Sequence, residues 1–260
     1  MAEFGVFGDV GVEIGDDFVA IVELRRGPDN YFDRRLIGQL ADAWEALDAE
    51  SSCRALVLCS QGKNFCAGAN FASREDPIAP DSGRHLYDEA LRVFSTRKPV
   101  VAAVQGAAVG GGFGLALAAD FRVAAPEARF AANFARLGIH HGFGMSVTLP
   151  AVVGMQRAQE LLYTGLRITG EEALRIGLCD RLADLARVRD AAQELAREIA
   201  RSAPLAVESI RATLRGDLPA RIRSATARER TEQERLQRTA DFKEGRAAMA
   251  ARRTPHFTRG

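Results

Sequence analysis

The stretch VQGAAVGGGFGLALAAD, residues 104–120, decides the fold. It follows the apolar run at 99–104, and its three glycines, Gly110, Gly111 and Gly112, lead straight into the helix-like LALAA of 115–119. Glycines at a helix entrance expose main-chain N–H groups, because no Cβ holds a ligand or another chain away. Such donors, helped by the helix dipole, stabilise negative charge developing on an oxygen. A second stretch, NFCAGAN at 64–70, also follows a strand-like segment and ends in a small-residue turn. Two such turns supply one N–H each to a single oxygen.

Glycines after a strand also serve as turn punctuation or for close packing of a helix on a sheet; the nucleotide-binding uses are excluded by spacing. Gly106 has no glycine two residues on, so the dinucleotide pattern fails, and no Lys-Ser or Lys-Thr follows to make a phosphate loop. At 260 residues, with 47% hydrophobic and 27% charged residues, the chain is long enough for one substantial core plus a smaller helical region. A net charge of +1 gives no drive toward nucleic acid or membrane. No segment approaches the roughly 20 apolar residues of a membrane span, and no secretory signal opens the chain, so a cytoplasmic protein is expected. Cys53, Cys59, Cys66 and Cys179 lack metal-ligand spacing and read as buried thiols; no metal or redox cofactor is expected.

Outward from the glycines, 10–24 reads as strands in a hairpin-like start, and GPDN at 27–30 as a turn. Leu36, Leu40, Trp44 and Leu47 recur at helical spacing, predicting an amphipathic helix over 33–49 with Trp44 in the core. Strands are predicted at 54–60, 121–125 and 128–130, and helices at 85–95, 157–163, 185–202, 206–214 and 221–239. Residues 71–80 read as irregular. Thr169 and Glu172 have capping-box spacing, with Gly177 at the helix end. The alternation of strand and helix predicts α/β layers with parallel strands. The last predicted helix carries mixed charges, the pattern of a solvated face with i to i+4 pairing.

The paired stretches, in this order, resemble the two signature segments of the crotonase, or enoyl-CoA hydratase/isomerase, superfamily. The resemblance is collinear over nearly the whole chain, through PDNYF at 28–32, RKPVVAAVQG at 97–106, ELLYTGLRITGEEALRIGL at 160–178 and DFKEGRAAMAARRTPHF at 241–257. It implies an α/β crotonase-like (ClpP/crotonase) spiral of ββα units, with a core over 1–200 and a C-terminal helical region over 201–260 for assembly or covering the site. It implies an acyl-CoA substrate, coenzyme A being part of the substrate rather than a cofactor, and a homotrimer or dimer of trimers. The two thioester-polarising N–H groups fall on Ala69 and Gly111. Ala67, Asn70, Gly110, Gly114, Phe134 and Arg26 are candidates for contact with substrate or CoA; Arg25, Arg252 and Arg253 are further candidates for its phosphates.

Family hydratases carry two glutamates that manage the water and the proton. The resemblance places them at Gly114 and Phe134, so both carboxylates are missing here. Acid–base help is worth about 10²- to 10⁴-fold in rate, so thioester activation is implied and simple hydration is not. His140 and His141, in LGIHHGFG at 137–144, lie where some crotonase-like enzymes place a catalytic aspartate. In the dehalogenase branch that aspartate would fall on Gly142. His141 is the candidate acid or base; alternatively the histidines cap or pack the turn, and adjacent side chains are expected to point apart. His85 and Tyr87 either line the acyl pocket or face solvent.

Three functions follow from the resemblance. The first is an enoyl-CoA hydratase/isomerase-type enzyme working through an enolate. The second is attack of water on the acyl carbonyl, giving hydrolysis or carbon–carbon cleavage. The third, of another class, is a catalytically inert acyl-CoA binder.

Overall fold

The computed structural model describes residues 2–70 and 84–260; the irregular segment expected at 71–80 lies outside the described residues. Among the described residues, ten strands form two sheets. The larger contains β1 (Ala2–Phe7), β2 (Val10–Ile14), β3 (Val19–Leu24), β4 (Ala55–Ser60), β5 (Val100–Val104), β7 (Phe121–Ala124) and β10 (Arg181–Leu182), in that order. The smaller orders β6 (Ala107–Val109), β8 (Arg129–Ala131) and β9 (Arg167–Thr169).

Pairing is antiparallel from β1 to β3 and parallel from β3 to β10. The parallel strands β4 and β5 are buried at every position, which is why they read as unbroken apolar runs rather than alternating ones. β1 was not among the expected strands. Its glycine and exposed positions carry no alternation, and pairing with β2 supplies what local pattern lacks.

Parallel neighbours need crossovers, and α1 (Arg34–Ala49) provides the one between β3 and β4. Asp33 caps it, accepting the Leu36 N–H at 2.8 Å, and Leu36, Leu40, Trp44 and Leu47 face the core as expected. The unit β5–β6–α3, with α3 at Gly111–Ala118, passes from the large sheet to the small one at Gly106. Its φ is +60°, and a Cβ there would stand 2.1 Å from the Lys63 carbonyl, so glycine is required. The remaining helices are α2 (Leu86–Phe94), α4 (Met145–Val153), α5 (Met155–Thr164), α6 (Gly170–Arg175), α7 (Val188–Ala200), α8 (Pro204–Arg215), α9 (Leu218–Leu236) and α10 (Ala240–Ala250).

Two local expectations need correction. Helix is already present over Met145–Val153, despite Pro150 within it, because a tertiary contact described below satisfies its first N–H groups. α9 is not simply a solvated face. Arg228–Glu232 and Arg230–Glu234 pair at i, i+4 on its outside, whereas Ile222, Thr226 and Glu229 are buried on its inside. All four cysteines are free and buried, and Phe242 of α10 packs within the chain on Leu137 and Ile139. No helix among the described residues is long and apolar enough to cross a membrane.

Candidate active site

The PDN turn builds the first donor. The Asn30 side chain, fully buried, donates to the carbonyls of Gln61 (2.6 Å) and Asn64 (2.8 Å), and the Pro28 carbonyl accepts the N–H groups of Lys63 and Asn64. Residues 65–68 then run beside β6: Cys66 N–H donates to Ala107 (2.9 Å), and Val109 N–H donates back to Cys66 (3.0 Å). Gly68 has a φ of +90°, and a Cβ there would meet the Val109 carbonyl at 2.7 Å. Phe32 N–H donates to Gly68 at 3.0 Å in a parallel bridge opposite Ala69. In such a bridge the flanking residues turn toward the partner strand, so the Ala69 N–H lies on the opposite edge.

Gly110 supplies the second donor by turning the chain. Its φ of +55° and ψ of −120° suit only glycine, and its own N–H is held by the Ala131 carbonyl at 2.8 Å. Gly111 is thereby the first residue of α3, where the N–H has no acceptor within the helix. A Cβ on Gly111 would stand 2.0 Å from the Phe32 ring, and one on Gly112 would stand 2.2 Å from the Cys66 carbonyl. Ala69 thus pairs with the Phe32 backbone, and Gly111 lies against the Phe32 ring.

Beyond the donors the wall is aromatic. A Cβ on Gly114 would lie 2.8 Å from Cβ of Phe143, and one on Gly110 would lie 3.7 Å from the Phe134 ring. Phe143, 1% exposed, holds a φ of +61° and packs edge-on to Phe32 with centroids 5.6 Å apart, and on Phe94 at 5.8 Å. A residue other than glycine adopts this conformation at a cost, here offset by burying the ring. The space that a side chain at 114 would use is thus filled by Phe143.

The loop carrying Phe143 also carries the histidines. Contrary to expectation, His140 and His141 do not point apart: their rings stack, with centroids 4.2 Å apart. Alternation is a property of extended strands, and this loop instead turns toward the left-handed Phe143. His141 Nε2 lies 2.8 Å from Ser146 Oγ and 3.9 Å from Glu229 Oε1. Burial, with His140 beside it, pushes the His141 ring down to about 4. The Glu229 carboxylate pulls the other way, but its oxygens already accept the N–H groups of Gly144 (2.9 Å) and Ser146 (3.1 Å) and the Ser146 hydroxyl (2.7 Å), so desolvation dominates.

Tyr87 is buried rather than solvent-facing. Its hydroxyl donates to Gln233 Oε1 at 2.7 Å, and Gln233 donates to the His140 carbonyl at 2.9 Å. Burial, with Glu229 nearby, raises the Tyr87 hydroxyl's pKa, so it stays protonated. A Cβ on Gly142 would fall 2.1 Å from that oxygen, so the place expected for a dehalogenase-type aspartate is occupied. His85 caps α2, its Nδ1 accepting the Tyr87 N–H at 3.1 Å.

The other candidates lie around the donors. Ala67 is fixed by its N–H to the Asp29 carbonyl (2.9 Å), and Asn70 is exposed at the end of the described turn. Arg26 is engaged by Asp9 (2.7 Å) and Asp33; burial opposes its charge, and the two carboxylates outweigh burial and raise its pKa. Arg25 pairs with Glu23 and Arg253 with Glu244. Sequence reasoning quoted Asn30 and Phe32 within PDNYF without giving them a role, and it missed Phe143, Ser146, Glu229 and Gln233; nothing local marks Glu229 among its charged neighbours.

A mostly parallel sheet beside a smaller one, with a glycine turn entering α3 and a C-terminal helical region, is the crotonase fold. Residues 15–260 match the family model described as enoyl-CoA hydratase/isomerase, and the chain belongs to that family. It is 33% identical over 236 residues to the 1,2-epoxyphenylacetyl-CoA isomerase of Escherichia coli (strain K12), covering 88% of this chain and 90% of that protein. It is 32% identical over 241 residues to the carnitinyl-CoA dehydratase of Proteus mirabilis (strain HI4320), covering 90% and 92%. The crystal structure of an enoyl-CoA hydratase/isomerase from Pseudoalteromonas atlantica T6c superposes with a TM-score of 0.88 at 28% identity, over 96% of this chain and all of that one. These relationships support an acyl-CoA-processing function.

Proposed function

We propose that this enzyme moves a proton on the acyl group of a coenzyme A thioester, through an enolate held by the N–H groups of Ala69 and Gly111, and does not add water to it. The packing of Phe143 against Gly114 carries this reading. Water addition needs one group to activate water and another to protonate carbon. Phe143 closes the first glutamate position and Phe134 occupies the second with a hydrocarbon ring. Proton movement needs only a polarised carbonyl and one group that takes the proton and returns it.

His141 is that group. Held at about 4, the ring has nearly the basicity of a glutamate, about 4.3 unperturbed, and is neutral at physiological pH. It is two residues from Phe143, which packs directly on α3. The isomerase among the relatives supports an outcome without net water.

But-3-enoyl-CoA incubated with the enzyme in D₂O, and followed by mass spectrometry, tests the reading. The expected result is conversion to the 2-enoyl isomer with deuterium incorporated and no hydrated product. Gain of water overturns it. Binding with neither isomerisation nor exchange also overturns it, in favour of an inert binder.

We further propose assembly as a homotrimer or dimer of trimers, supported by the exposed Leu205, Ile210 and Leu214 of α8, between 59% and 82% accessible in the single chain. Light scattering on the purified protein tests this, and a monomer overturns it.

A further inference from the structure

α9 is a polar, highly charged helix, yet Glu229 at its centre is completely buried. A buried carboxylate is costly unless its oxygens are satisfied. Here the partners come from a loop more than eighty residues earlier: Oε2 accepts the Gly144 N–H, and Oε1 accepts both the N–H and the hydroxyl of Ser146. These are N–H groups at the start of α4, where the helix dipole favours a negative charge. Gln233, one turn further along the same face of α9, donates to the His140 carbonyl. Both ends of the loop 140–146 are thereby tied to α9.

Proton counting then fixes the histidine. A serine hydroxyl has one hydrogen, and Ser146 gives it to Glu229. Its oxygen is left with lone pairs facing His141 Nε2 at 2.8 Å, so Nε2 is the protonated nitrogen of the neutral ring. The lone pair that accepts a proton is then on Nδ1. Were residue 229 a donor, Ser146 would be free to donate to Nε2, and the ring would invert its tautomer.

We infer that Glu229, acting through Ser146, is a positioning residue that locks His141 in its Nε2–H tautomer and so presents Nδ1 as the base, an assignment that rests on His141 being the proton carrier. α9 thereby takes part in defining the site. Ser146 acts on the histidine directly, and Glu229 acts through Ser146.

Selective ¹⁵N labelling of the four histidines in the full-length protein, with His141→Gln to assign the signal, reads the tautomer directly at neutral pH. The expected wild-type pattern is Nε2–H. Ser146→Ala keeps the hydrogen bonds from the backbone of 144 and 146 to Glu229, so the fold is retained while the lock is lost. The expected result is mixed tautomers, with kcat for deuterium exchange into but-3-enoyl-CoA lower by about 10- to 100-fold and KM within about twofold. Ser146→Thr, which restores the hydroxyl, is expected to recover the wild-type tautomer and most of kcat. Glu229→Gln is expected to favour the Nδ1–H form. An Nδ1–H wild type, or an unchanged tautomer in Ser146→Ala, overturns the positioning role alone. Undiminished exchange in His141→Gln overturns the proton-carrier reading beneath it.

Discussion

Phe143 and Gly114 compete for one space: the Cβ that any other residue would carry at 114 lies 2.8 Å from Cβ of Phe143. Restoring a glutamate there does not restore a hydratase. Gly114→Glu is expected to destabilise the protein by about 1–3 kcal/mol through overpacking and to leave crotonyl-CoA unhydrated. In a denaturation double-mutant cycle, Gly114→Glu with Phe143→Gly loses less than the sum of the single changes. Strict additivity would show that the two positions do not share this space.

Phe32 and Gly111 are related in the same way, and here the donor can be separated from the packing. Gly111→Ala keeps its N–H but drives a Cβ into the Phe32 ring, so both stability and exchange activity are expected to fall. Adding Phe32→Ala relieves the clash and is expected to recover part of the activity. Gly111→Pro in that same Phe32→Ala background lacks the N–H, and its rate is expected to be about 10²- to 10³-fold lower than that of the alanine pair. Equal rates for the two pairs would remove Gly111 from the oxyanion hole.

The pH dependence of stability follows from His141. Its folded pKa, about 4, is below the unperturbed value of about 6.5, so the unfolded chain binds the extra proton first. The stability associated with the neutral ring is fully present above about pH 6.5 and is lost as the pH falls toward 4. His141→Gln is therefore expected to flatten the denaturation free energy in that window relative to wild type. An unaltered slope between pH 6.5 and 4 would contradict the assignment.

Tyr87 and Gln233 form a buried hydrogen bond that fills the space beside Gly142. Tyr87→Phe leaves Gln233 Oε1 without its donor, at an expected loss of about 1–3 kcal/mol by thermal or chemical unfolding. The same change opens room for a Cβ, so Gly142→Ala is expected to cost less in the Tyr87→Phe background than in wild type.

The four thiols are expected to be inert in the folded protein. Burial pushes Cys53 up to about 11, and Cys59, Cys66 and Cys179 up to about 12, so almost none is thiolate at neutral pH. A thiol reagent at pH 7 should label them only on the timescale of unfolding. Rapid labelling of one thiol in native protein would place that thiol at the surface.

The legible parts of this fold were those with a local cause. α1 announced itself through Leu36, Leu40, Trp44 and Leu47, and β4 and β5 through unbroken apolar runs. α4 was missed because Pro150 argues against a helix locally, while the carboxylate that stabilises its beginning belongs to α9. Tyr87 was left open between pocket and solvent for a similar reason. A tyrosine at the start of a short helix carries no sign of burial until α9 closes over it.

Of the candidate site, the backbone was determined by the sequence itself. Gly68, Gly110 and Gly111 adopt conformations or close approaches that other residues resist, so their order along the chain is enough to mark the two turns. Side-chain occupancy was decided only by the tertiary structure. That Phe143 fills the place of a missing acid, and that His141 carries its proton on Nε2, depends on contacts between residues 29 to 88 positions apart. Such contacts leave no periodicity or spacing in the sequence; they exist only once β-strand pairing and α9 have brought the loop 140–146 against α3.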